Sequence, residues 1–390
     1  MQEHGLSLDA PVNKQLVSWK IPENEFAKFR DVTLRHILSH TSGFNVIGFD
    51  GYKQNEPLPT LSQILNGEKP ANNEPVKVGF TPGSKLSYSG GGYCVMQQLV
   101  EDVTGSSFAE FMEESVLQKL HLKTSTFRFP LPPKYTDNAA VAHPGTGAPL
   151  TGLWKTYPEG AAAGLWTTPI DLATILVELQ NSFHGKNEKI LRKEMVQTMF
   201  TPQIAPWGLG PVVNNAGKEA LEISHKGRTD GFACGFVFFP YLRKGAVVMT
   251  NADNGAILLD QVLRSLASVY RWPTYQIETR KVFALSPQQL EKYVGRYSTE
   301  KEPNDIYDLQ VFVKDNSLNI AFGTTKPYKM YAESENRFFN LETGYSFSFD
   351  TTTGSLRVGL ASGFDREYRK ISSTPAMSND DVTFLGRQMP

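Results

Sequence analysis

Residues 88–105 read YSGGGYCVMQQLVEDVTG: a tyrosine, a serine and three consecutive glycines, followed at once by helical spacing. Tyr93, Met96, Leu99, Val100 and Val103 recur at intervals of three and four, so they share one helix face. Gly105 supplies the left-handed residue that ends the helix. Gln97, Gln98, Glu101 and Asp102 fall on the other face, which predicts an amphipathic helix open to solvent on that side. Glycine weakens a helix. Three of them at the first turn therefore mean that the backbone folds tightly there, with the phenol of Tyr88 at its mouth.

Working outward, TLRHILSHTSG (33–43) reads as a short helix stopped by Gly43, and a Pro/Asn/Gly-rich surface stretch follows it to Gly83. Downstream, Ser107 and Glu110 form a capping box for a helix that buries Phe108, Phe111, Met112 and Leu120. TTPIDLATILVELQ repeats that grammar, with Thr168 as N-cap, Pro169 at the first helical position and Asp171 near the positive helix end. GFACGFVFFP and GAVVMTN, separated by the basic turn YLRK, read as paired strands packed on both faces. A helix over roughly 257–269 closes this region. Beyond Leu285 the pattern is one of short strands, DLQVFVK and SLNIAF turning through Asp315 and Asn316, then RFFNLETGYSFSFD and SLRVGLAS. The expected class is α+β. Residues 1–275 form one domain, with an antiparallel sheet, flanking helices and a mostly helical subdomain. Residues 276–373 form a small β-barrel-like domain, and 374–390 a loose polar tail.

Composition narrows the functions. With 39 basic and 40 acidic residues among 390, no net field attracts nucleic acid or an anionic membrane. No apolar run reaches the ~18 residues of a membrane span, and MQEHGLSLDAPV lacks the basic start and apolar middle of a signal peptide. Cys94 and Cys234 are too few for a disulfide framework or a cysteine-rich zinc site, and read as buried thiols. His36 and His40 have zinc-peptidase spacing, but Ile37 stands where the catalytic glutamate belongs, so they read as structural or capping histidines and no metal is expected. There is no G-x-S-x-G elbow, P-loop or dinucleotide fingerprint, and no cofactor is expected.

Two stretches remain that can carry chemistry: Tyr88-Ser89-Gly90, and His225-Lys226-Gly227 in ISHKGRTDGFACGF. Neighbouring cations would pull a cleft phenol toward its ionised form, and a strand glycine lets a ligand approach closely. With GLSLDAPV, LRHILSHTSGF, PGSKLSYSGGGY, EDVTGSSFAEFM, AAAGLWTTPIDLA, WGLG and SHKGRTDGF in this order, the chain resembles the serine β-lactamase-like family. That family includes class C β-lactamases, D-alanyl-D-alanine carboxypeptidases and related esterases. The resemblance runs from Leu6 to about Val269, and the β-rich remainder is similar to the lipocalin-like C-terminal domain of some members. It implies a β-lactamase/DD-peptidase-like fold and a small ester, amide or D-amino-acid peptide as substrate. Tyr88 then matches the tyrosine that relays protons, and His225 takes the place of a motif cation beside Lys226 and Gly227. The backbone N–H of Arg228 matches one oxyanion-hole donor. Gly90 stands where many members have asparagine, which leaves room for acyl groups other than β-lactams.

The same family uses a serine and a lysine spaced S-x-x-K on a helix that precedes GLSLDAPV. Ser115–Lys119 and Ser182–Lys186 are each one residue too long, and the chain is read as holding no S-x-x-K. The expectation is a chain that begins after its nucleophile, with MQEHG as a helix end, and that is inactive alone. The alternative is a non-catalytic binding or scaffolding protein on the same fold. A third reading, Ser89 or Ser42 as a substitute nucleophile, has no lysine or histidine placed nearby by local sequence.

Overall fold

The computed structural model describes residues 4–145, 147–276, 279–299, 308–322, 327–359 and 365–373. The first residues of the expected helix end, MQE, and the expected tail 374–390 lie outside them. The chain divides into two compact units, Met1–Leu263 and Arg264–Pro390.

The first unit holds an antiparallel sheet of β1 (Val212–Asn214), β2 (Glu222–Thr229), β3 (Phe232–Phe239) and β4 (Lys244–Thr250), in that spatial order. Asp230 and Gly231 turn β2 into β3 at φ +76 for the glycine, and the register pairs His225 with Phe236 and Gly227 with Cys234. Strand alternation puts His225 and Gly227 on one face and Lys226 on the other. On the Lys226 face lies the Gly255–Tyr270 helix; Leu259 comes so near Gly235 that a Cβ there would meet its Cδ1 at 2.9 Å. Burial on both faces holds for β3, whose Ala233, Val237, Phe238 and Phe239 are all buried, but not for β4. Ala246–Thr250 are half-buried, because β4 has a hydrogen-bonded neighbour on one side only among the described residues.

The Gly90–Thr104 helix runs through the other core, amid Ile37, Phe44, Val46, Ile64, Val76 and Val78. Its glycines answer to close neighbours. A Cβ on Gly91 would lie 2.9 Å from Val46 Cβ, and one on Gly92 3.3 Å from the Phe44 ring. The expected polar face is less open than its residues suggest: Gln97 and Gln98 are buried, and the Gly160–Ala163 helix packs against Gln97. Gln97 Oε1 accepts from the Ala161 N–H at 3.0 Å, a partner that periodicity cannot reveal. The stretch to Gly83 is also more than surface. It contributes a Leu61–Asn66 helix capped by Thr60 and the buried Tyr52, Ile64, Leu65, Val76 and Val78. Pro, Asn and Gly there serve turns between apolar anchors spaced too irregularly to read as an element.

Helix first turns leave N–H groups without intrahelical acceptors. Here a second backbone supplies them: Gly90 N–H donates to Ile47 O at 2.9 Å and Gly91 N–H to Val46 O at 3.1 Å. Ser89 is the N-cap, accepting from Gly92 N–H at 3.1 Å and donating its hydroxyl to Val46 O at 2.7 Å. Position 90 is closed by the same loop, since a Cβ would come to 3.1 Å from both Ile47 O and the Phe49 ring.

The second unit is a nine-stranded antiparallel sheet: β5 (Gly295–Ser298), β6 (Leu309–Lys314), β7 (Ser317–Phe322), β8 (Tyr328–Lys329), β9 (Tyr331–Ala332), β10 (Arg337–Phe339), β11 (Ser346–Asp350), β12 (Ser355–Gly359) and β13 (Asp365–Ser372). Its order is β8-β7-β6-β5-β13-β12-β11-β10-β9. The two edges, β8 and β9, are separated in sequence by Met330 alone, so the sheet curls until its edges nearly meet. Met330 N–H bonds Leu318 O, and Asn340 Nδ2 donates to Lys329 O at 2.9 Å. Asp315 and Asn316, at φ +50 and +55, make the expected β6–β7 turn. Tyr293, Tyr297, Phe338, Phe347 and Phe349 fill the interior.

Two outcomes follow from the first unit's packing. Glu159 is fully buried with neither carboxylate oxygen hydrogen-bonded, and burial pushes its carboxyl up to about 7. The folded state thus holds a proton that the unfolded chain releases near 4.5. Stability is full below that pH, declines up to about 7 and is level above it. Glu159→Gln is expected to gain on the wild type between about pH 5 and 8 in thermal midpoint; a difference constant across that window would refute the buried acid. Gly90→Asn is expected to destabilise by about 1–3 kcal/mol through overpacking against Phe49. In a denaturation cycle with Phe49→Ala, the double variant should lose at least about 0.5 kcal/mol less than the sum of the singles, and strict additivity would show that Phe49 does not close the position.

Candidate active site

The Leu34–Leu38 helix is capped at its start by Thr33 and His36 in a reciprocal pair, so His36 is a capping histidine. After Ser39 the chain turns through His40 at φ +55, a left-handed value uncommon for a side-chain-bearing residue. That turn drives the His40 ring inward, where it is 1% exposed. Tyr88 stacks on it with ring centroids 4.1 Å apart. Trp207, from the WGLG segment, meets His40 edge-on at 4.7 Å and lies 5.7 Å from Tyr88.

Strand β2 forms the facing wall. The His225 ring is 6.4 Å from that of Tyr88 and 5.7 Å from Trp207, so the two stretches singled out in the sequence do come together. Beside His225 opens a cavity of about 190 Å³, lined by Leu176, Leu179, Phe200, Ile223 and Phe236 among others. Lys226 points to the opposite face, where its ammonium bonds both Asp260 oxygens at 2.7 and 3.0 Å, so its side chain is committed outside the cleft. Gly227 has a nearby cause for lacking a side chain: a Cβ would lie 3.0 Å from Cys234 Sγ. Arg228 sends its exposed guanidinium to Asp253 at 3.5 Å. Gly90 sits at the helix start behind Phe49 and Ile47.

The electrostatics differ from the sequence expectation in sign. Burial pushes the His225 imidazole down, with a smaller opposing effect from the Lys226 backbone, so at neutral pH it is uncharged. Burial pushes the Tyr88 phenol up, although the ring keeps a two-fifths-exposed edge. The expected ionisation of the phenol by neighbouring cations is therefore corrected. Desolvation decides, because the nearby lysine faces away and the nearby histidines are neutral.

Two of the serine hydroxyls near the cleft are engaged or enclosed. Ser89 is 1% exposed and occupied as an N-cap; Ser42 is equally buried, and its Oγ has no partner. Both Cys94 and Cys234 are free thiols, each pushed up by burial and so poor in thiolate. An S-x-x-K spacing does occur downstream, at Ser298-Thr299-Glu300-Lys301. Ser298, however, is the buried last residue of strand β5, not a helical residue, and Glu300 and Lys301 lie outside the described residues. His40 and Trp207 are the cleft residues whose place sequence reasoning missed. Their signal was present only as the order of the HTSG and WGLG segments.

A family model described as Beta-lactamase matches residues 1–267, more than half of the chain. Penicillin-binding protein 4* of Bacillus subtilis (strain 168) is 21% identical over 337 residues, covering 80% of this chain and 71% of its own length. The teichoic acid D-alanine hydrolase of Staphylococcus aureus is 25% identical over 179 residues, 46% of this chain and 41% of its own length. Among solved structures, the octameric penicillin-binding protein homologue from Pyrococcus abyssi aligns with a TM-score of 0.56 at 22% identity, over 94% of this chain and 83% of that one. A D-stereospecific amidohydrolase from Streptomyces sp. aligns at 0.51 and 22% identity, over 65% of this chain and 76% of that one. The fold is thus shared with these proteins, and by the family match across its first 267 residues the chain belongs to the beta-lactamase-related family of serine hydrolases.

Proposed function

We propose that the cleft between Tyr88 and strand β2 belongs to a hydrolase that works through an acyl-enzyme, with its attacking serine and activating lysine supplied from outside these 390 residues. The observation that carries this reading is the approach of Tyr88 to His225 across Trp207. Tyr88 is the general acid/base. Because burial disfavours its phenolate, the neutral hydroxyl relays the proton, taking one from the nucleophile as it gives its own to the leaving group. His225 serves as a neutral hydrogen-bonding group beside the acyl carbon, Gly227 leaves space on the strand, and the Arg228 N–H is one oxyanion donor. Lys226 contributes by holding β2 to the helix behind it through Asp260.

A neutral His225 supplies no fixed positive charge for a substrate carboxylate. That favours small esters and amides, D-alanyl esters included, over peptides with a free C-terminus. The name of the Staphylococcus aureus relative, a teichoic acid D-alanine hydrolase, supports the D-alanyl ester reading. The enclosed state of Ser42 and Ser89 supports a second reading, a protein that binds such acyl groups without cleaving them. The residues at 276–373 we read as an accessory lipocalin-like domain of either form.

The test uses a fluorophosphonate probe, a chromogenic D-alanyl ester and a cephalosporin, on this chain and on one extended upstream through its coding sequence. Labelling and ester turnover are expected only in the extended chain, with a loss of about 10²–10⁴-fold in Tyr88→Phe. Binding without turnover in both would establish the second reading. Turnover by the 390-residue chain that persists in Tyr88→Phe would refute the assignment of Tyr88.

A further inference from the structure

We propose that His40 is the positioning residue for Tyr88: one imidazole and its own carbonyl fix the backbone on both sides of the tyrosine and the plane of the phenol. The significance of this for catalysis rests on the reading of Tyr88 given above; the geometry does not.

Three contacts converge on a single residue. The N–H of Ser87, just before Tyr88, donates to His40 O at 2.8 Å. The N–H of Ser89, just after it, donates to His40 Nδ1 at 3.1 Å. Between them the Tyr88 ring lies on the imidazole at 4.1 Å with an interplanar angle of 29°. A side chain that only filled space would have no reason to accept the Ser89 N–H on a ring nitrogen while stacking on the Tyr88 ring. Nor would it occupy a left-handed backbone position at φ +55, where a β-carbon is costly. The turn is held in place independently: His40 N–H bonds Ile37 O, Gly210 N–H bonds Leu38 O at 2.9 Å, and Trp207 and Tyr93 close round the ring at 4.7 and 5.3 Å.

The acceptor role dictates the tautomer. Nδ1 must be unprotonated to receive the Ser89 N–H, so the proton resides on Nε2. A protonated His40 would turn that acceptor into a second donor facing an N–H. Burial works in the same direction, pushing this imidazole down to about 3. His40 thus stays a neutral acceptor across the range in which a hydrolase operates, and the position of Tyr88 does not vary with pH.

The test reads Tyr88 and His40 directly in the 390-residue chain, without requiring turnover. Nitrogen-15 NMR of histidine-labelled protein is expected to show one ring held as the neutral Nε2–H tautomer from pH 8 to about 4.5, missing in His40→Asn. A His40 that carries its proton on Nδ1, or that gains a second one near pH 6, overturns the proposal whatever the variants do. With tyrosine labelled at Cζ and the Tyr88 signal assigned by Tyr88→Phe, the wild type should give one narrow line that ionises above the ordinary range. In His40→Asn the amide Oδ1 can take the place of Nδ1, and asparagine tolerates the left-handed turn. The line is expected to stay single while its ionisation moves down toward that of a free tyrosine. In His40→Phe a ring remains but no acceptor, and the line is expected to split or broaden. A Tyr88 signal unchanged in both variants would make His40 a core filler. Failure of the extended chain to turn over ester, with these spectra as expected, would sink the enzymatic reading and leave the positioning intact.

Discussion

The first N–H groups of the Gly90–Thr104 helix find their acceptors in the carbonyls of Val46 and Ile47, and such an approach of backbone to backbone is possible only where side chains are missing. This contact fixes the rest of the first unit's cleft. It seats the Ser89 cap, it sets Phe49 over position 90, and it leaves Tyr88 one residue outside the helix with its ring free to lie across His40. A side chain at 91 would meet Val46 at 2.9 Å and push against the loop that supplies the acceptors.

Around that anchor the chemistry is governed by desolvation more than by charge. His40 and His225 are kept neutral, Tyr88 is kept protonated, and the one lysine of the strand motif is drawn to Asp260 behind the sheet. On the function proposed above, such a cleft would handle protons through neutral hydrogen-bonding groups; it differs from one in which a cation holds a phenolate ready. The membership of the beta-lactamase-related family is shown by the match over residues 1–267. The local electrostatics decide how these particular residues can take part in the proposed chemistry.

The second unit solves a different problem. An open sheet presents two edges, and among the described residues this one ends in two two-residue strands, β8 and β9, joined through Met330 alone, so little edge is left. The aromatic residues alternate inward from several short strands and meet in a single interior, Phe349 lying 4.7 Å from Tyr293 and 5.5 Å from Phe338.

Much of this was legible in the sequence, because it depends on neighbours along the chain. The caps at Ser107 and Thr168, the Gly105 stop, the β3–β4 pair and the Asp315–Asn316 turn all follow from local spacing, whereas the meeting of Tyr88 with His225 was legible only through the family resemblance. Tertiary structure alone decided the remainder. It buried Gln97 and Gln98, turned Lys226 to the far face, and enclosed Ser42 and Ser89. It also brought a histidine from a turn 48 residues upstream beneath Tyr88. The reason is physical: propensities and caps act over one or two helical turns, whereas the sign of a pKa shift and the partner of a buried amide depend on what the fold packs against them.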